Sequence, residues 1–204
     1  MSLLKKWFHD SRPEIWRQLS EKLGGEYARG TTWKGGERLE VRHGEWVMTL
    51  DVFVVPVGKV FIPMSRMRAP FVNPGGLRVR LTRESFLSPL GRLLGMQDIQ
   101  IGVPEFDTGF VIKGNDEKRV REFLANDKLR ALLLAEKGVQ LSVEDDEGWF
   151  GKKFPADTDE LRLVWGGHEK DPARIERLFE LFAEALDQMC RIGSAYERRP
   201  DVKL

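Results

Sequence analysis

The sequence has few of the features that mark secreted or membrane-spanning proteins. Cys190 is the only cysteine, so no disulfide forms within the chain and we expect a reducing compartment, the cytoplasm. No run approaches the roughly 18 uninterrupted apolar residues that predict a membrane-spanning helix. The first residues reach His9 and Asp10 before an apolar stretch of signal-peptide length develops. We therefore expect a soluble protein of the cytoplasm.

An excess of charge of either sign is also missing. The 33 Lys and Arg residues nearly balance the 32 Asp and Glu residues, which leaves a formal net charge of +1. The composition thus gives no strong nucleic-acid signal, and any charged partner must be met by a local patch. The histidines His9, His43 and His168 are far apart and have no neighbours of metal-ligand type, so we expect no metal site.

The common catalytic motifs are absent. The sequence contains no P-loop, no G-x-S-x-G, no H-E-x-x-H and no strand followed by G-x-G-x-x-G. It therefore indicates no catalytic residue and no cofactor, and it favours a binding or adaptor module over an enzyme. The alternative is a small enzyme of unrecognised type that uses the acidic residues near Glu105 and Asp107.

Helical periodicity is present at both ends of the chain. After Asp171 and Pro172, apolar residues recur at steps of three and four, which predicts a capped amphipathic helix of roughly 25 residues. Ser11 and Glu14 have the spacing of a capping box, and they mark the start of a helix that we expect from about Arg12 to Leu23.

Between these helices the apolar period changes to two, which predicts an antiparallel meander. The predicted strands are RLEVR, WVMTLDVFV, KVFIPMSRMR, LRVRLT, VQLSV and ELRLVW, with a turn at residues 55–58 and a short helix near residues 89–94. Residues 106–165 contain a strand, a helix and a strand. We expect an α+β fold: an antiparallel meander sheet of about six to eight strands, with the N-terminal helix, the strand-helix-strand segment and the long C-terminal amphipathic helix packed on the sheet.

A chain of 204 residues is long enough for one core. We expect a single domain over residues 1–196, with 1–103 and 104–196 as candidate lobes, followed by a polar tail at 197–204.

The segment around Glu105 and Asp107 has a structural interpretation as well as a catalytic one. Phe110, Val111 and Ile112 favour a strand, and Asn115 or Asp116 suits the cap of the next helix. The two carboxylates would act as acid and base only if a partner converged on them, so the structural interpretation is favoured.

A local excess of arginine provides the main candidate for partner binding. Six arginines lie between Ser65 and Leu93, against the single acid Glu84. If the strands that carry the first four are hairpin partners, four guanidinium groups share one face, which suits an acidic protein or a phosphate-bearing ligand. The candidate residues are Arg66, Arg68, Arg78, Arg80 and Arg83, with Trp149 and Phe150 of a long loop as a second contact.

Two alternatives stay open for these surfaces. The arginines can instead pair across the sheet with Glu37, Glu40 or Asp51 and form an ordinary solvated face. The segment LLKKWF at residues 3–8 sets apolar and basic side chains together, so a peripheral membrane contact is an alternative to packing on the domain. The sequence does not indicate the oligomeric state.

Four segments resemble a family of uncharacterised bacterial proteins, over about Leu39 to Ser194. These segments are SRMRAPFV, LLGMQDIQIG, EFDTGFVIKGND and EDDEGWFGKKFP. More loosely, Phe106 to Trp165 is similar to cytosolic domains of unknown function that accompany membrane helices in some bacterial proteins. The resemblance implies a bacterial protein, and because no activity is established for either group it implies no catalytic residue.

Overall fold

The structure, a computed structural model, describes residues 12–29, 36–83, 97–145 and 154–196. Its helices are α1 (Arg12–Leu23), α2 (Pro104–Gly109), α3 (Glu117–Phe123), α4 (Asp127–Ala135) and α5 (Pro172–Arg191). Its strands are β1 (Glu26–Ala28), β2 (Arg38–His43), β3 (Trp46–Val57), β4 (Val60–Val72), β5 (Val79–Arg83), β6 (Gln97–Ile99), β7 (Phe110–Gly114), β8 (Val139–Glu144) and β9 (Thr158–Gly166). The predictions for residues 3–8, Ser11, residues 89–94, Trp149, Phe150 and the tail lie outside the described residues.

The described strands form one antiparallel sheet in the order β1-β2-β3-β4-β9-β8-β5-β7-β6. The predicted α+β class is confirmed: β1 to β4 are the meander, and β7, α3, α4 and β8 are the strand-helix-strand segment. The sheet has more strands than expected because β1 and β6, at its two edges, have three residues each and are too short to show an alternating pattern.

One cross-strand row of side chains spans the whole sheet. Its members are Tyr27, Leu39, Leu50, Met67, Leu163, Leu141, Leu81, Ile112 and Ile99. This row belongs to the same buried cluster as Trp16 of α1 and Phe182 of α5, so these helices pack on this face, which we call the helix face. Because side chains alternate along a strand, the residues next to the row point to the other face, which we call the polar face.

The C-terminal helix begins as predicted. The Asp171 carboxylate accepts a hydrogen bond from the backbone N–H of Ala173 at 3.0 Å, and Pro172 is the first helical residue. The helix has 20 residues, not about 25, because Gly193 adopts φ 65° and turns the chain two residues after Arg191.

The turn predicted at residues 55–58 was wrong in detail. The second hairpin turns at Gly58 and Lys59, since Val57 pairs with Val60, and Gly58 has the positive φ of 61° that tight hairpin turns favour. Pro56, which suggested the turn, lies inside the ribbon opposite Phe61. A proline is tolerated there because its missing N–H faces the side of β3 that, at this position, has no partner strand among the described residues.

The strands that carry Arg66 and Arg80, β4 and β5, are not hairpin partners, because β9 and β8 lie between them. The physical reason is that β9 offers β4 a longer apolar partner, which pairs with it from Met64 to Val72. In β9, three side chains are fully buried: Leu161, Leu163 and Trp165. Each of these residues is paired with β4 on one side and with β8 on the other. Strands from before and after residue 103 therefore interleave in one sheet.

Candidate binding face of the sheet

Four cations lie in one cross-strand row on the polar face. Arg68 of β4 pairs with Arg162 of β9, Arg162 with Ser142 of β8, Ser142 with Arg80 of β5, and Arg80 with Lys113 of β7. We call Arg68, Arg162, Arg80 and Lys113 the cationic row. Although β4 and β5 are not neighbours, the sheet register still brings their arginines to the same face.

Asp51 of β3 lies beside two of the predicted arginines. Its carboxylate accepts hydrogen bonds from Arg66 Nε at 2.6 Å and from the second terminal nitrogen of the same guanidinium at 3.2 Å. A terminal nitrogen of Arg68 lies 2.8 Å from Asp51 Oδ2, the oxygen that also accepts the longer Arg66 bond. The Arg66 guanidinium also lies 5.0 Å from the centre of the Phe53 ring. Arg66 is therefore held in one orientation by a fork of hydrogen bonds and by an aromatic face.

Glu160 of β9 lies between Arg68 and Arg162. Arg162 Nε donates to Glu160 Oε1 at 2.7 Å, and a terminal nitrogen of Arg68 is 3.8 Å from Glu160 Oε2. The Glu160 side chain is fully buried, and burial raises the pKa of this carboxyl, while the charges of Arg162 and Arg68 act in the opposite direction. Glu160 is the most deeply buried of the acids that neutralise the row.

The arginines of the β5 segment form ion pairs with carboxylates other than Asp51 and Glu160. Arg80 is 2.9 Å from Glu144, and Arg78 is 2.8 Å from Asp159 and 3.4 Å from Asp145. Burial raises the pKa of Asp159, opposed by the charge of Arg78 and by a hydrogen bond from the Asn73 amide. The positive charge predicted for this face is therefore largely matched by neighbouring carboxylates.

Arg83 does not share the polar face. It pairs with Phe110 in the sheet register, and its guanidinium lies 5.0 Å from the Phe110 ring centre. The reason is the period of two, because a residue three positions after Arg80 points to the opposite face. The structure thus brings Arg66, Arg68 and Arg80 to one face, places Arg78 just before β5, and places Arg83 on the helix face.

The sequence prediction missed four members of this site. They are Lys113, Glu160, Arg162 and Ser142. The signal was available in β9, where Glu160 and Arg162 alternate with buried Leu161 and Leu163. Ser142 had no such signal, because β8 is buried along most of its length.

The polar network on this face is incompletely satisfied. Ser142 Oγ is fully buried and has no hydrogen-bond partner among the residues that the structure describes. Buried polar atoms of this kind are usually paired, if not with protein then with ordered water or a ligand.

Of the two acids considered for catalysis, Glu105 and Asp107, Asp107 has a structural role. Both carboxylate oxygens of Asp107 accept backbone N–H groups, from Ile101 at 2.8 Å and from Gly102 at 2.8 Å. Glu105 is exposed in the first turn of α2. Asp116 caps α3 by accepting the N–H of Arg119 at 3.1 Å, as the structural interpretation expected. Within the described ranges, no three side chains of His, Cys, Asp or Glu are grouped as a metal site.

Comparison with known proteins adds little to this geometry. No family model matches the sequence, and no curated protein is significantly similar to it. Among solved structures, the mycobacterial trehalose monomycolate transport factor A, TtfA, aligns with a TM-score of 0.49 and 10% sequence identity, over 96% of this chain and 100% of that chain. Among the described helices, none combines the length and the apolar composition needed to cross a membrane.

Proposed function

We propose that this protein is a non-enzymatic binding module whose polar sheet face recognises an anionic group, a carboxylate or a phosphate, on a partner. The observation that supports the proposal best is the cationic row, in which three guanidinium groups and one ammonium group lie on four strands of one sheet. Arginine offers a planar fork of donors that matches carboxylate and phosphate oxygens.

The energetic cost of this face also supports a role in recognition. Arg68 and Arg162 are directly opposite each other, which is unfavourable for two like charges. Asp51 and Glu160 compensate, yet a buried ion-pair network is seldom more stable than apolar side chains of the same volume. Stability alone therefore gives no reason for arginines at these positions, whereas anion recognition does.

The fixed orientation of the arginine side chains is the third supporting feature. Arg66 is held by Asp51 and Phe53, and the side chains of Arg80 and Glu144, 12% and 15% exposed, hold each other. A partner's anionic group would share Arg66 with Asp51 or take the place of Glu144 at Arg80. Because the guanidinium groups are already ordered, little side-chain entropy is lost on binding.

Fluorescence anisotropy with two labelled peptides tests this proposal. One peptide is rich in glutamate and the other carries phosphoserine at the same positions. We expect the protein to bind at least one of them, more weakly as salt increases. The double variant Arg66→Lys with Arg80→Lys keeps both charges and removes both forks, so its affinity should fall at least about tenfold. Reversal to glutamate is unsuitable, because it would set Arg80→Glu against Glu144.

Arg174→Lys is the matched control. Arg174 is also an ion-paired arginine, 2.9 Å from Glu136, but it lies on α5 and not in the sheet. This variant should bind the peptides as the parent does. Failure of the parent to bind either peptide, or equal loss in the control, would contradict the proposal.

A further inference from the structure

The β3–β4 hairpin extends beyond the rest of the sheet. The last pair between β2 and β3 is Arg38 with Asp51, and the last pair between β4 and β9 is Met64 with Gly166. The four pairs from Val54–Pro63 to Val57–Val60 therefore have no neighbouring strand in the described sheet. We call residues 54–63 the hairpin tip. It is about 13 Å long at about 3.3 Å per residue.

The tip exposes apolar side chains on both faces of its ribbon. Seven large apolar side chains are exposed in the described parts of the chain, and five of them lie here: Val54, Val57, Val60, Phe61 and Ile62. Phe61 is 73% exposed and, with Val54, points to one face. Val60, 62% exposed, points to the other face with Val57 and Ile62. A ribbon that docks on a flat protein surface needs only one apolar face, so this arrangement suits a medium that surrounds it.

Two prolines reduce the number of unpaired backbone N–H groups along the edges of the tip. The Pro63 carbonyl accepts the N–H of Gly167 at 3.0 Å, so the backbone of Pro63 faces away from β3. By the alternation of the ladder, Val54, Pro56 and Phe61 face outward as well. Two of these four outward positions are prolines and have no N–H to leave unpaired. This hinders strand addition by another chain and lowers the cost of an apolar environment.

The charge of the segment favours an anionic surface as its partner. Between Val52 and Met64 the only charged residue is Lys59, at the turn, and there is no carboxylate to repel an anionic surface. The long stem of a lysine lets its ammonium reach phosphates while neighbouring apolar side chains are buried. Self-association through the tip is disfavoured, because a face of about 13 Å by about 10 Å is far below the roughly 800 Å² per partner of a stable dimer.

From these features we propose that the hairpin tip inserts into the interfacial region of an anionic phospholipid bilayer. Val57, Val60 and Phe61 enter the boundary between headgroups and acyl chains, and Lys59 contacts lipid phosphates. The insertion is shallow, because the outward N–H groups of Val54 and Phe61 still need polar partners. This inference rests on the hairpin and not on the cationic row, so it stands or falls independently of the proposed function.

Co-sedimentation with lipid vesicles tests the inference. The full chain should partition onto vesicles of phosphatidylglycerol and phosphatidylcholine, and much less onto phosphatidylcholine alone. The double variant Val60→Ser with Phe61→Ser should lose at least about tenfold in partition coefficient, because both side chains leave water on insertion. Its melting temperature should be unchanged, since both are solvent-exposed in the free protein. Lys59→Glu should weaken binding to the anionic vesicles only.

Val111→Ser is the matched control, because Val111 is also exposed, at 44%, but lies on β7. It should bind vesicles as the parent does, and so should Arg66→Lys with Arg80→Lys. The double serine variant should in turn keep its affinity for the acidic peptides. Absence of vesicle binding by the parent, or equal binding by the double serine variant, would overturn the inference, and equal binding to neutral vesicles would remove the role of Lys59.

Discussion

Arg68 and Arg162 stand directly opposite each other on β4 and β9, although both carry a positive charge. Asp51 and Glu160 flank the pair and supply the opposite charge, at 2.8 Å from Arg68 and 2.7 Å from Arg162 respectively. The polar face of the sheet therefore depends on its acids as much as on its arginines, and this dependence can be measured.

Removal of the Asp51 charge should destabilise the fold. Asp51→Asn leaves Arg66 and Arg68 without their shared carboxylate, and breaking a largely buried pair in this way costs about 3 kcal/mol. Urea melts at neutral pH measure the change in the free energy of unfolding. Glu117→Gln is the control: its pair with Arg121 is half-exposed, so we expect a loss of less than about 0.5 kcal/mol. A similar small loss for Asp51→Asn would show that the arginines do not need this acid.

Acid should weaken the junction between α4 and α5. Glu184 accepts hydrogen bonds from Arg191 at 2.8 Å and from the Asn126 side chain at 2.7 Å, and the Arg191 bond is the main cause that lowers its pKa from 4.5 to about 2. A lowered folded-state pKa stabilises the protein above the unfolded pKa, and this contribution disappears as the pH falls from about 4.5 to about 2. Because Arg191 is half-exposed, we expect about 1 to 2 kcal/mol.

Glu184→Gln tests that dependence. The variant should be less stable than the parent at pH 7, and urea melts at lower pH should show the gap closing as Glu184 becomes protonated in the parent. Glu180→Gln serves as the control, because Glu180 is half-exposed and, within the described ranges, forms an ion pair with Lys128 alone, at 3.0 Å. A gap that stays constant down to about pH 2 would contradict the assignment.

Phe182 of α5 should contribute strongly to the core. It is fully buried in the cluster beneath the sheet, so Phe182→Ala should cost about 3 to 5 kcal/mol through lost burial and a cavity. Phe61→Ala makes the same chemical change at a side chain that is 73% exposed, and it should cost less than about 0.5 kcal/mol. Denaturant melts of both variants give the comparison; a loss below about 1 kcal/mol for Phe182→Ala would show that α5 does not seal the core.

Gly25 should resist substitution because another strand passes close to it. A Cβ at Gly25 would lie 2.4 Å from the Glu40 carbonyl oxygen and 2.9 Å from a Val41 methyl. Gly25→Ala therefore forces β1 and β2 apart, and we expect a loss of about 1 to 3 kcal/mol in thermal or urea melts. Gly36→Ala meets no atom within 4 Å and should change stability little. Equal stability of the two variants would be inconsistent with the close approach at Gly25.

The sequence was most informative where the structural signal is local. The Asp171 cap, Pro172 and the apolar stripe of α5 lie within one helix, and each was confirmed. The order of the strands could not be predicted from local signals. Alternation along a strand indicates which of its side chains share a face, but not which other strand lies next to it. The insertion of β9 next to β4 depends on the fit of two segments that are distant in the chain.

The same limit applies to the candidate sites. Arg66 and Arg68 were predicted to share a face because they are two residues apart. The neighbour of Arg68 in the cationic row, Arg162, comes from β9 and could be found only from the sheet register. The hairpin tip was not predicted, because Pro56 suggested a turn that began at Val55. The paired strands in fact continue to Val57 and Val60. Its apolar composition was visible, but its exposure follows only from the absence of flanking pairs beyond Asp51 and Met64 in the described sheet.

β9 is synthesised long after β4, its neighbour in the sheet, and this delay affects the nascent chain. β4 ends at Val72 and its partner begins only at Thr158, so about 90 residues must be translated before that edge is covered. At about 5 to 20 residues per second, the nascent meander presents an open apolar edge for several seconds. Completion of the sheet is therefore a late event that joins two distant parts of the chain, and premature termination before β9 leaves a product with an exposed, aggregation-prone strand.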